Sequence, residues 1–170
     1  AQAGGVTAVI NASAAGVVET ARLHPDRIGT VFAARRGIFG LWDENLVDTG
    51  AEKAEEIARL RATPGEAFGS CRYDVRSIDE DPALYARIFE VLAAHDIGYF
   101  FYNGGNGSMD TVWKLDQAAR RLGYPLIAVG VPKTMDNDLI RTDCCPGFGS
   151  VAKYIATSIR EVDRDLAAMV

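Results

Sequence analysis

The chain has 170 residues, a formal net charge of −5 and 48% hydrophobic residues, which suits one domain with a sizeable core. The negative balance, without a basic stripe, excludes nucleic acid as the main partner, and no apolar run approaches the roughly 20 residues of a membrane span. The three cysteines match neither a disulfide framework nor a metal-binding spacing, and no signal-peptide pattern opens the chain. The sequence therefore predicts a cytoplasmic protein.

The first half of the chain predicts short elements separated by loops. Apolar residues at helical spacing predict a helix over residues 8–22, and β-branched and aromatic residues predict a strand over residues 28–34. Residues 35–49 predict a loop with a short helix, and residues 52–61 predict a helix. Residues 63–72 hold one proline and two glycines and predict a loop.

The second half alternates helices and strands. Asp81 followed by proline predicts the start of a helix that runs to about residue 95. Apolar runs predict strands over residues 97–101 and 126–129, with a helix over residues 108–122 between them and a last helix over residues 149–169. This order is typical of βαβ units and predicts an α/β fold, a three-layer Rossmann-like domain with a mainly parallel sheet.

A glycine-rich loop, residues 103–108 with the sequence NGGNGS, follows the first of these two strands. Loops at the ends of parallel strands bind ligands, and a helix N-terminus offers free N–H groups to a phosphate. The loop is not the dinucleotide fingerprint, because Asp110 stands where the third glycine belongs, and no Gly-Lys-Ser/Thr follows as in a Walker loop. A tight turn that needs glycine only for its backbone conformation is the alternative.

A second loop, residues 132–138 with the sequence PKTMDND, follows the next strand. Lys133 can neutralise phosphate as a point charge. Asp136 and Asp138, two positions apart, aim differently, so that one can act as a base while the other orients a group or binds metal. A solvated turn is the alternative, because Asp and Asn favour turns. The two loops together predict phosphoryl chemistry, with Lys133, Asp136 and Asp138 as candidate catalytic residues.

Five segments in this order resemble the phosphofructokinase family: Gly4-Gly5, Asn11, residues 104–108, residues 132–138, and residues 142–150 with the sequence TDCCPGFGS. The resemblance covers essentially the whole chain. It implies that residues 1–170 are the N-terminal, phosphoryl-donor domain of a 6-phosphofructokinase. Only three residues precede Gly4 and no strand follows the last helix, so we expect a chain trimmed at both ends, without the second domain and its Met-Gly-Arg element.

The resemblance also implies an activity and roles for individual residues. The expected reaction moves a phosphoryl group to O1 of fructose 6-phosphate in glycolysis, with Mg²⁺ as cofactor and a homo-oligomer as the intact enzyme. Asp136 matches the base that takes the proton of the sugar 1-hydroxyl, and Thr134 and Met135 match substrate-binding positions. The donor-binding positions implied by the resemblance are Gly5, Arg72, Tyr73, Gly105, Asn106, Gly107 and Ser108. Asn106 stands where the family often has a metal-binding Asp, and an amide coordinates Mg²⁺ more weakly than a carboxylate does.

Two positions disagree about the phosphoryl donor. Family members that use pyrophosphate commonly carry Asp at the position of Gly107, where it obstructs the place of a nucleotide α-phosphate, and glycine leaves that space open as in ATP users. Lys133 and the amino-acid sequence of residues 108–111 and 142–154 resemble the pyrophosphate branch instead. The sequence favours pyrophosphate, with ATP as the alternative. Two further hypotheses are a donor-binding half-domain without activity of its own, and a sugar- or nucleotide-binding module that has lost the chemistry.

Overall fold

The computed structural model describes residues 1–169 and shows an α/β fold. The helices are α1 (Ile10–Arg22), α2 (Ile38–Trp42), α3 (Ala54–Arg59), α4 (Pro82–Ala94), α5 (Asn106–Leu122) and α6 (Phe148–Ala168). The strands are β1 (Phe32–Ala34), β2 (Leu46–Asp48), β3 (Tyr99–Gly104) and β4 (Ile127–Pro132). Two short 3₁₀ turns, Thr49–Ala51 and Leu60–Ala62, precede and follow α3.

The predicted parallel unit is confirmed in β3, α5 and β4. The two strands pair in parallel from Tyr99 opposite Ile127 to Gly104 opposite Pro132, and α5 makes the crossover between them. The first three residues run along the other side of β3, where the Asn103 N–H donates to the Ala1 carbonyl and the Asn103 carbonyl accepts from the Ala3 N–H. The carboxyl end of β3 therefore lies between β4 and residues 1–3, and each of these two segments leads into a loop.

The main core lies between this sheet and helices α2, α4 and α5. Its fully buried side chains include Tyr85, Ile88, Leu92 and Leu115, each of which contributes roughly 1.5–3 kcal/mol by its burial. The predicted start of α4 is confirmed, because the Asp81 carboxylate accepts the Leu84 N–H at 3.1 Å and proline occupies the first turn. This packing holds α5, and with it the glycine-rich loop, against the sheet.

The structure differs from the prediction in the first half of the chain. The predicted strand over residues 28–34 forms only from Phe32 to Ala34, and it pairs antiparallel with β2, which lies in the predicted loop. A strand of three residues is too short to show an alternating pattern, so β2 could not be predicted from local sequence. The short helix α2 in that loop is confirmed. Helix α5 begins at Asn106, two residues before the predicted start.

Helix α6 has an apolar stripe that the described part of the chain does not cover. None of the residues 148–168 is buried within residues 1–169, and the stripe includes Ile155, Ile159, Val162 and Leu166. No helix within residues 1–169 combines the length and apolar character that a membrane crossing needs.

Candidate active site

Lys133 lies under the Gly4-Gly5 loop rather than in solvent. It is 3% exposed, its Nζ donates to the Gly5 carbonyl, and its N–H donates to the Gly104 carbonyl at 3.0 Å. Gly4 has a φ of +83°, and a Cβ on it would lie 3.3 Å from Lys133 Nζ. The left-handed backbone and the close approach of the ammonium both favour glycine there. The chain thus places a fixed positive charge beneath the loop that follows its first residues.

The charge on Lys133 is set by burial and by three ionisable neighbours. Burial lowers the pKa of its ammonium, Glu66 raises that pKa, Arg72 lowers it and Asp136 raises it. Both carboxylate oxygens of Glu66 are buried and have no hydrogen-bond partner within residues 1–169. Glu66 therefore acts on the lysine through space rather than through a hydrogen bond.

The first turn of α5 lies beside the Gly4-Gly5 loop and Lys133. Gly105 caps the helix in an extended conformation, its carbonyl accepts the Ser108 N–H at 3.0 Å, and no acidic residue lies in the first turn. The N–H groups of Asn106 and Gly107 belong to the part of a helix that has no intrahelical acceptor, and both residues are exposed. The positive end of the helix dipole adds to their attraction for an anion. Ser108 is buried under Gly104, so its hydroxyl lies behind the loop rather than in front of it.

The second loop is folded back on itself so that Asp136 stays exposed. The Thr134 N–H donates to the Pro146 carbonyl at 2.9 Å, and Thr134 Oγ1 accepts the Asp136 N–H at 3.1 Å. Asn137 has a φ of +56°, and its Oδ1 accepts the Cys145 N–H at 2.9 Å. These bonds fix the backbone on both sides of Asp136, whose carboxylate remains free to accept a proton from a ligand.

A side-chain bond joins the two predicted loops. Asn106 Nδ2 donates to Asp138 Oδ2 at 2.9 Å, and both residues are exposed. The amide oxygen of Asn106 and the second carboxylate oxygen of Asp138 are oxygen ligands of the kind that Mg²⁺ takes, beside substrate phosphates and waters. The residues present fit a magnesium ion held by one carboxylate, although no cluster of three acidic, histidine or cysteine side chains within residues 1–169 forms a closed metal cage.

Arg72 and Tyr73 have different positions in the structure. A Cβ on Gly5 would lie 3.4 Å from Arg72 Nη2, so the guanidinium reaches the same loop as Lys133. The Tyr73 ring instead packs on Phe39 and Trp42, with ring centroids 5.2 Å and 6.4 Å apart. Arg72 joins the predicted site, while one side of Tyr73 is used in an aromatic cluster.

Buried amides hold the loop of residues 63–72 against the site. Gln2 Nε2 donates to Asn11 Oδ1 at 3.0 Å, and Gln2 Oε1 accepts the Phe68 N–H. Asn11 Oδ1 also accepts the Ala67 N–H, and Asn103 Nδ2 donates to the Ile10 carbonyl at 2.8 Å. Because buried polar groups are costly unless they are paired, this network fixes where Arg72 emerges.

A cation, an arginine, a helix N-terminus and an exposed carboxylate thus meet at the carboxyl ends of β3 and β4. The family profile described as Phosphofructokinase matches residues 1–169. The chain belongs to the phosphofructokinase family.

Relatives within this family resemble the chain over its whole length. The pyrophosphate–fructose 6-phosphate 1-phosphotransferase of Methylococcus capsulatus is 64% identical over 169 residues, which are 99% of this chain and 40% of that protein. The crystal structure of the pyrophosphate-dependent phosphofructokinase from Marinobacter aquaeolei superimposes with a TM-score of 0.89 at 60% identity, over 98% of this chain and 40% of that one. The enzyme of the same description from Nitrosospira multiformis gives a TM-score of 0.92 at 58% identity, over 99% and 41%. The chain spans about two-fifths of the length of these relatives.

Two acidic residues near the phosphofructokinase motifs were missed by sequence reasoning. Glu66 lies in the loop of residues 63–72 and influences Lys133. The Asp74 carboxylate lies next to Gly107, although the two residues are 33 positions apart. Neither residue belongs to a motif, and acidic residues in loops are usually only solvated, so the sequence carried no signal for them.

Proposed function

We propose that this chain is the donor-binding domain of an enzyme that transfers a phosphoryl group from pyrophosphate to O1 of fructose 6-phosphate. One observation carries the proposal: the buried Lys133 ammonium lies under the Gly5 carbonyl, between the start of α5 and the loop that exposes Asp136. The names of the relatives at 58–64% identity support pyrophosphate as the donor.

The expected chemistry needs alignment and charge neutralisation more than covalent work by the protein. O1 of the sugar attacks the outer phosphorus of pyrophosphate while Asp136 takes the proton of the 1-hydroxyl. The bridging P–O bond breaks, and orthophosphate leaves with the bridging oxygen. Lys133, Arg72 and the first N–H groups of α5 neutralise the charge on the transferred and leaving groups.

Thr134 and Met135 flank the proposed base on the same loop. Thr134 is buried and fixes the backbone of Asp136, and Met135 is exposed beside it. We propose that the two hold the sugar phosphate in position for Asp136. Positioning of this kind lowers the entropic part of the barrier.

We propose Mg²⁺ as the cofactor, with the Asp138 carboxylate and the Asn106 amide oxygen as its protein ligands. When bound, the ion would add positive charge that offsets the negative charge of the phosphates. The bond between Asn106 and Asp138 holds the two oxygen donors near each other before the ion arrives.

The remaining family features belong to the same proposal. We propose that the fold is a three-layer Rossmann-like domain with a mainly parallel sheet, that the protein works as a homo-oligomer in the cytoplasm, and that glycolysis is its pathway. The remaining sugar-phosphate contacts, beyond those of Thr134 and Met135, would come from the part of the relatives that this chain does not match. A donor-binding half-domain without its own turnover is the second candidate, although the names of the relatives favour the enzyme.

The test replaces Asp136 by Asn in the full-length protein. We expect kcat to fall by roughly 10²-fold or more, because general-base catalysis contributes that much, while binding of pyrophosphate changes little. The matched control is Asp26→Asn, which removes an exposed carboxylate after α1 and should leave kcat unchanged. An unchanged rate for Asp136→Asn would remove the proposed base.

A separate assay tests the second candidate. The 170-residue chain alone is titrated with pyrophosphate and assayed for turnover with fructose 6-phosphate. Pyrophosphate binding without turnover supports the half-domain, and turnover by the chain alone contradicts it.

A further inference from the structure

We propose that Asp74 makes the donor site selective for pyrophosphate by excluding ATP. This inference rests on the proposed function. It addresses Gly107, the one position at which the chain resembles family members that use ATP rather than pyrophosphate. The chain has glycine where a side chain could close the site to a nucleotide, and a carboxylate from another segment stands beside that glycine.

The decisive distance is between Asp74 and the first turn of α5. A Cβ on Gly107 would lie 3.7 Å from Asp74 Oδ1, which is the one atom of the described residues within 4 Å of that Cβ apart from the adjacent residues and the backbone of α5 itself. A side chain at position 107 would therefore be in contact with this carboxylate. Asp74 supplies a negative charge at the place that Gly107 leaves open.

The backbone around Asp74 is fixed, so its carboxylate is not on a free loop. Val75 is 2% exposed, and its carbonyl accepts a hydrogen bond from Lys114 Nζ of α5 at 2.8 Å. Lys114 also pairs with Asp110, one turn earlier on α5, at 2.6 Å. The next carbonyl, of Arg76, accepts the Tyr85 hydroxyl at 2.7 Å. These bonds attach the segment that carries Asp74 to α5 and α4.

The position of Asp74 matters because of the direction in which a longer donor must extend. Lys133 and the Gly5 carbonyl lie at the buried end of the site, and Gly107 is exposed at its outer end. Pyrophosphate has two phosphates and can reach from Lys133 and Arg72 at the inner end to the first N–H groups of α5, where it ends. A nucleoside triphosphate carries a third phosphate and a nucleoside, which must pass Gly107 and therefore the Asp74 carboxylate.

The neighbouring ring does not compensate for this repulsion. Tyr73, which precedes Asp74, packs on Phe39 and Trp42 within the protein. That side of the ring is not free to stack on a base. The segment thus turns a carboxylate towards α5 and keeps its aromatic ring in a cluster on the other side.

The size of the effect follows from Coulomb's law. At about 4 Å, repulsion between two unit charges corresponds to about fivefold in bulk water and to roughly 10³-fold at an effective dielectric constant of 20. Asp74 is exposed, which places the expected discrimination near the lower end, at about tenfold or more.

The test compares donors in wild type and in Asp74→Asn, which keeps the shape of the side chain and removes its charge. We expect the ratio of kcat/KM for ATP to kcat/KM for pyrophosphate to rise at least about tenfold. In wild type, raising the ionic strength should raise the same ratio, and in Asp74→Asn it should do so much less, because salt screens the carboxylate. Asp26→Asn, the matched control for net charge, should leave the ratio unchanged.

A rescue variant separates charge at this place from any other effect of the substitution. Adding Gly107→Asp to Asp74→Asn returns a carboxylate to the same space and should restore the wild-type ratio. Calorimetric titration with ADP, which needs no turnover, should show tighter binding to Asp74→Asn than to wild type.

The outcomes distinguish this inference from the proposed function. If wild type prefers pyrophosphate but Asp74→Asn leaves the donor ratio and ADP binding unchanged, the inference is wrong and the proposed function stands. If wild type uses ATP at least as well as pyrophosphate, the proposed donor is wrong and Asp74 does not exclude nucleotides.

Discussion

Gly104 is the position where one added methyl group should disturb the proposed donor site most directly. It ends β3, its carbonyl accepts the Lys133 N–H, and it lies over Ser108 in the first turn of α5. A Cβ on Gly104 would come within 2.5 Å of Ser108 Cβ, closer still to Ser108 Oγ, and within 3.0 Å of the Ala3 carbonyl oxygen. Gly104→Ala therefore forces either α5 or residues 1–3, which pair with β3, to move.

The magnitude follows from those distances. The separation of 2.5 Å is about 1 Å shorter than an ordinary carbon–carbon contact. Ser108 is buried and lies in the first turn of a helix packed on the sheet, so it cannot turn away without moving that helix. Overpacking of this kind costs about 1–3 kcal/mol, which for a chain of this size lowers Tm by roughly 4–8 °C at the middle of that range.

Urea unfolding of wild type and Gly104→Ala measures the loss. The matched control is Gly16→Ala, at a glycine inside α1 where a Cβ would meet no described atom within 4 Å. That variant should gain about 0.5–1 kcal/mol, because alanine loses less backbone entropy in a helix. The two Gly→Ala changes are expected to have opposite signs.

A double mutant tests whether the contact with Ser108 is the cause. Gly104→Ala combined with Ser108→Gly removes the atoms that clash, so the double variant should be at least about 1 kcal/mol more stable than the sum of the single effects predicts. Additive effects, or a Gly104→Ala variant within about 0.5 kcal/mol of wild type, would refute the packing that we describe.

Three further predictions concern the charges of the site. Lys133→Met, which removes the buried cation, should lower kcat/KM for pyrophosphate by roughly 10²–10³-fold in steady-state assays, and a loss below tenfold would contradict its role. Glu66→Gln removes a charge that raises the pKa of Lys133, so the lysine should lose its proton at lower pH. The alkaline limb of the kcat/KM–pH profile for pyrophosphate should then move to lower pH. An unmoved limb would exclude this coupling. Asn106→Asp places a second carboxylate beside Asp138. Thermal unfolding should show that the variant is less stable than wild type in EDTA and is stabilised more by Mg²⁺. Equal stabilisation of both proteins by Mg²⁺ would argue against this ligand pair.

The parallel unit and its two loops could be predicted from the sequence because their signals are local. Short apolar runs ahead of Gly- or Asp-rich loops indicate buried strands, and the βαβ order brings the ends of β3 and β4 to one edge. The Pro132–Asp138 loop also had the distinctive residue types that led to the family. Local pattern was enough to indicate the family and to single out Asp136 as the candidate base.

The burial of Lys133 and the roles of Glu66 and Asp74 could not be predicted in this way. A lysine in a loop after a strand suggests an exposed side chain, and only the approach of the Gly4-Gly5 loop encloses it. Asp74 reaches Gly107 because Val75 and Arg76 are anchored to distant helices. These contacts depend on tertiary packing, which carries no periodic or compositional mark in the sequence.

The bonds that assemble the donor site also determine when it can form. Lys133 and Gly5 are 128 positions apart, Asn103 and Ile10 are 93 apart, and Phe68 and Gln2 are 66 apart. Closing loops of this length is slow compared with forming α4 or α5, whose contacts are local. An intermediate with its helices in place but with these three loops open would have no cradle for phosphate. Recovery of pyrophosphate binding during refolding should therefore mark the last kinetic phase, after helical circular dichroism has returned.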